Sequence, residues 1–142
     1  MSLMPLSQFY NRFKDQPPEA AEAEAFKIGQ ALGLEAARKL KLKGSDVNAI
    51  AKVVSEVFAK MKYGTATSVA IEGNKAVARG AYVCPIMVSA ASLKIPWDWL
   101  DKNFAWPMMR GIASAVNPKV QFKVEKARCY GDSICEHVFQ IE

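Results

Sequence analysis

Histidine, cysteine and long apolar runs are scarce in this sequence. Its 142 residues include one histidine and three cysteines. An odd cysteine count, with no charged n-region leading into an apolar h-region, argues against a disulfide framework and makes the reducing cytoplasm the expectation. No apolar run approaches the roughly 20 residues that span a bilayer, so membrane insertion is not expected. There are no internal repeats, low-complexity segments or linkers, and residues 1–142 read as one domain. Residues 1–3 read as cloning residues ahead of a native start at Met4. The formal charge of +5 is dispersed, and its densest run, Arg38 to Lys43, closes a helix where cations meet the dipole favourably. With no recognition motif beside that charge, nucleic acid is not an expected partner.

What is present is a change of hydrophobic period along the chain. Leu6, Phe9, Tyr10 and Phe13 give a short amphipathic helix from Pro5 to Lys14, stopped by Asp15-Gln16-Pro17-Pro18. A long alanine-rich helix follows from Glu19 to Lys41, with Ala25, Ile28, Leu32, Ala36 and Leu40 as its apolar stripe. Ser45 or Asp46 caps the next helix, which carries Val47, Ile50, Val54, Val57, Phe58 and Met61 and ends at Tyr63-Gly64. These helices read as scaffold or as a dimer surface, so a homodimer is expected. The period then becomes alternating. Thr65–Glu72 and Lys75–Val83 read as strands joined by Gly73-Asn74, a two-residue hairpin turn.

Cys84-Pro85 ends the hairpin, and Ile86–Leu93 is a short helix. Another helix starts at Trp97, and Pro107 predicts a break near Trp106 before a second piece to Val116. Lys119–Cys129 reads as a third strand with Val120, Phe122 and Val124 on one face. Lys126 and Arg128 then take that face, which predicts a bulge or a sheet edge. Ile134–Glu142 is the fourth strand. The fold class is therefore α+β: N-terminal helices, an antiparallel sheet of about four strands in two hairpins, and helices packed on one face.

Two groups of residues could carry chemistry. Five residues separate Cys129 from Cys135, and Gly131-Asp132 between them is a turn signal. Beyond Ile134 the alternation puts Cys135, His137, Phe139 and Ile141 on one face. Two sulfurs and the imidazole thus converge near a hairpin tip, with Cys84 as a candidate fourth ligand for zinc. The plainer reading has the cysteines filling core space and His137 hydrogen-bonded near the sheet. Cys84 could also be a nucleophile, with His137 the only imidazole base available. The second group is Trp97, Trp99, Phe104, Trp106, Met108 and Met109. It reads either as plain core or as the wall of a pocket for an apolar or aromatic small molecule.

The C-terminal third, from Pro107-Met-Met-Arg-Gly through Glu125-x-x-x-Cys129 to Gly131-Asp132-Ser133-Ile134-Cys135, resembles the 4-vinyl reductase domain family. That family is similar to aromatic-sensing domains of transcription activators and to the α+β fold of vesicle-tethering complex subunits. The resemblance implies a ligand-binding or sensor module, zinc on Cys129 and Cys135, and an apolar pocket between helices and sheet. His137 lies outside the family pattern. Cys84-Pro85 and Gly131-Asp132-x-x-Cys135 also resemble hydrolases of 2-aminothiazoline-4-carboxylate, which implies a hydrolase of a small cyclic amidine as the alternative.

Overall fold

The computed structural model describes residues 5–61, 67–80 and 84–142. Helix α1 is Leu6–Phe13, α2 Pro18–Lys39 and α3 Val47–Lys60. Asp46 supplies the α3 cap, accepting a hydrogen bond from the Ala49 N–H at 2.9 Å. Strands β1, Thr67–Glu72, and β2, Lys75–Gly80, pair antiparallel with Glu72 opposite Lys75. Gly73 takes φ +65° in the two-residue turn between them, as the hairpin signal requires. The expected extensions of these strands to Thr65 and to Val83, and the helix end at Tyr63-Gly64, lie outside the described residues.

Helix α4 is Pro85–Leu93, α5 Trp97–Leu100 and α6 Trp106–Ser114. Strand β3 is Gln121–Lys126 and β4 Cys135–Gln140. Among the described residues the sheet is four-stranded and antiparallel in the order β1-β2-β4-β3, so the two hairpins lie side by side and β3 is an edge. Helices cover one face. Ala76, Ala78 and Phe139 point into that side, against Ile50, Val53, Val54 and Val57 of α3 and Met108 and Ile112 of α6. On the opposite face Arg79 bridges Glu72 and Glu136, each at 2.8 Å.

Three expectations need correction. The break near Trp106 does not occur: α5 continues through a π-helical turn, Asp101–Ala105, directly into α6. Pro107 has no N–H to offer the preceding turn, and the wider π turn absorbs that loss without separating the helices. The third strand stops at Lys126 after a register shift between Val124 and Lys126, and Cys129 sits instead in a 3₁₀ turn, Arg128–Tyr130. The shift itself is the expected bulge. The stripe of α2 is also rotated. Its buried positions are Ala21, Ala25, Gly29, Gly33 and Ala36, whereas Leu40 is exposed.

That rotation has a cause in the crossing of α2 and α6. A Cβ placed on Gly29 would overlap the carbonyl oxygen of Met108, and one on Gly111 the carbonyl oxygen of Phe26. Backbone therefore meets backbone at this crossing, and only hydrogen fits between. Gly29→Ala or Gly111→Ala should cost about 1–3 kcal/mol of stability by overpacking. Gly44→Ala, where the nearest atoms stand 3.9 and 4.0 Å away, should stay close to wild type. Urea unfolding of the three variants checks this, and a wild-type midpoint for Gly29→Ala would refute the tight crossing.

Candidate functional site

The cysteines gather at one corner of the fold. Cys84 precedes α4, Cys129 lies on the 3₁₀ turn, and Cys135 opens β4. All three are free thiols and half-buried. Asp132 closes the loop between the last two, its Oδ2 accepting from the Ala127 N–H at 2.9 Å, and Gly131 supplies φ +98°. The Arg128 N–H donates to Cys135 Sγ at 3.3 Å, which places that sulfur against the 3₁₀ turn.

Asp101, one of three loose carboxylates in the sequence with Asp98 and Asp132, belongs to this corner. The π turn directs it inward, and only 6% of its surface is exposed. The Cys129 thiol donates a hydrogen bond to its carboxylate. Burial raises the Asp101 pKa to about 6, and the thiol hydrogen bond partly opposes that rise. Burial likewise pushes all three thiols up. The Asp101 charge adds to the rise in each, and Cys129 is raised furthest. At neutral pH these are protonated thiols around one buried carboxyl.

His137 faces the helices from the middle of β4, between Ala78 of β2 and Val124 of β3. Its ring stacks on Phe122 at 6.0 Å, and its Nε2 is buried with no hydrogen-bond partner. Burial pushes its pKa down to about 4, so the imidazole is neutral. Among the described residues no three histidine, cysteine or acidic side chains form a group that could hold a metal ion. Of the expected zinc set, Cys84, Cys129 and Cys135 lie at the corner and His137 on the helix-facing side of β4.

The aromatic group is divided by the π turn. Phe104, Met108 and Met109 are buried in the core. Helix α1 covers part of this patch, with Phe9 5.0 Å from Phe104 and Tyr10 4.9 Å from Trp99, centroid to centroid. Trp97 is half-buried beneath Arg128, whose guanidinium lies 6.0 Å from its ring. Trp106 alone of the six lines an open groove of about 240 Å³ at the β3 edge. Pro107, Phe122 and Val124 complete the apolar wall, and Glu22, Lys102 and Arg110 form the rim. Phe122 and Val124 were legible as one face of a strand. The two cations were legible only as a spacing, Lys102-x3-Trp106-x3-Arg110, which sets a charge one turn to either side of the indole.

Asp101 and His137 titrate in opposite senses. The depressed His137 pKa means that the unfolded chain takes up this proton first, so stability is lost as pH falls from about 6.5 to about 4. The raised Asp101 pKa means that the folded chain takes up its proton first, so stability is gained as pH falls from about 6 to about 3.8. The two contributions nearly offset. Asp101→Asn removes the cost of the buried charge, so it should exceed wild type in stability at pH 7 by on the order of 3 kcal/mol and approach it at pH 4. Thermal melts across that range check it, and an unchanged pH slope in the variant would contradict the buried carboxyl.

No protein-family model matches the chain, and no curated protein matches it. The 4-vinyl reductase resemblance thus rests on the C-terminal residues alone. Among the described residues no helix is long and apolar enough to cross a membrane. A similar solved structure is a trafficking protein particle complex subunit 3 from Naegleria fowleri, covalently bound to palmitic acid. It matches with a TM-score of 0.52 at 15% identity, covering 96% of this chain and 93% of that one. At that identity the likeness speaks for the fold alone: this chain has the fold of a trafficking-particle subunit, the vesicle-tethering architecture that its C-terminal residues resemble.

Proposed function

We propose that this chain is a small-molecule-binding module for an apolar or aromatic ligand, of the kind the 4-vinyl reductase resemblance implies. The observation that carries the reading is the groove at the β3 edge, where Trp106, Pro107, Phe122 and Val124 form an apolar wall that is open rather than filled. An indole and a phenyl ring facing one gap offer large, flat contact area to an aromatic ligand. The similarly folded trafficking subunit carries palmitic acid, which supports the idea that the architecture accommodates apolar molecules. The hydrolase alternative gains no such support. An attacking cysteine needs a depressed thiol pKa, and burial pushes Cys84 the other way.

A neutral aromatic probe tests the reading. Naphthalene should bind saturably and quench tryptophan emission, and Trp106→Ala should weaken binding by about tenfold, equivalent to the loss of one stacking contact. Absence of saturable binding, or unchanged affinity in Trp106→Ala, would remove this groove as the site.

A further inference from the structure

The rim of the groove carries more information than its wall. Lys102 leaves the π turn and Arg110 leaves α6, four residues to either side of Trp106, and both are exposed. Both lie over neighbouring rings. The Lys102 ammonium is 5.6 Å from the Tyr130 ring, and the Arg110 guanidinium is 5.0 Å from Phe26. Such contacts restrict long side chains that would otherwise sample solvent freely. Tyr130 in turn stands 6.2 Å from Trp106, so the lysine, the tyrosine and the indole form one connected edge. Among the described residues Glu22 is the only acidic group lining the groove, half-buried on α2, and Asp98 acts on Lys102 from outside it.

We infer that the groove takes an aromatic carboxylate, its rings between Trp106 and Phe122 and its carboxylate held by Lys102 and Arg110. This inference rests on the apolar-ligand reading above and adds the ligand's charged end. The chemistry is matched part for part. A planar one- or two-ring acid fits a groove of about 240 Å³, which is smaller than the cavities that enclose drug-sized ligands. A guanidinium offers a carboxylate paired N–H donors in one plane, and a lysine ammonium adds a point charge from the other side. An aliphatic chain would use the wall but not the flat faces. A neutral ring would use neither cation.

The test compares 2-naphthoate with 2-naphthamide, which share their rings and differ in charge. Isothermal titration calorimetry of the full chain at low salt should show naphthoate binding about tenfold more tightly or better. The preference should shrink as salt rises. The double variant Lys102→Gln, Arg110→Gln should bring naphthoate down to the amide's affinity in that same variant, and Lys102→Arg should retain the preference. Both substitutions are on exposed side chains, and a wild-type melting temperature confirms the fold. Equal binding of the two probes, or a naphthoate preference that survives in the double variant, would overturn the carboxylate inference while leaving the apolar-ligand reading intact. Failure of both probes to bind would overturn both.

Discussion

The contact of backbone with backbone where α2 crosses α6 sets the rest of this structure. Gly29 and Gly111 leave no room for a β-carbon, so the two helices approach as closely as their main chains allow. This fixes α6 in height and rotation over the sheet. Met108 and Ile112 go into the core, while Trp106 and Arg110 are turned toward the β3 edge. The same crossing brings Phe26 beneath the Arg110 guanidinium. A packing requirement among small residues thus decides where an indole and a cation stand.

The π turn from Asp101 to Ala105 is the second device. It carries the helix past Pro107 and, in a single turn, sends Asp101 inward to the thiols and Lys102 outward to the groove. Tyr130 ties the two places together. It follows Cys129 on the 3₁₀ turn, and its ring lies under Lys102 and beside Trp106. The cysteine corner and the rim of the groove are thus adjacent. The corner's thiols are held protonated around one buried carboxyl, which suits a structural role.

Much of the fold was legible in the sequence. The Asp46 cap, the Gly73-Asn74 turn, the bulge after Val124 and the two-hairpin sheet each have a local chemical cause, and each is found. The misreadings arose where tertiary contact overrides a local rule. Proline signals a break, yet a π turn satisfied by its surroundings keeps the helix whole. Apolar spacing on α2 selects Ala25, Ile28, Leu32, Ala36 and Leu40; the two alanines are buried as expected, yet the closest approach is made on glycine. The site was half visible. The cysteine convergence was, but not the carboxyl that joins it, because nothing in the spacing around Asp101 reveals a π turn. The tryptophans were named together, although only Trp106 lines the groove, since α1 folds back over Trp99 and Arg128 lies over Trp97.

The central claim is that the gap between Trp106 and Phe122 is where a flat apolar ligand sits. Intermolecular nuclear Overhauser contacts in the complex with 2-naphthoate test it most directly. Cross-peaks from the naphthyl protons to the Trp106 indole and the Phe122 ring, and none to residues lining the far groove between Leu40 and Ala51, are the predicted result. Cross-peaks confined to any other surface would contradict it.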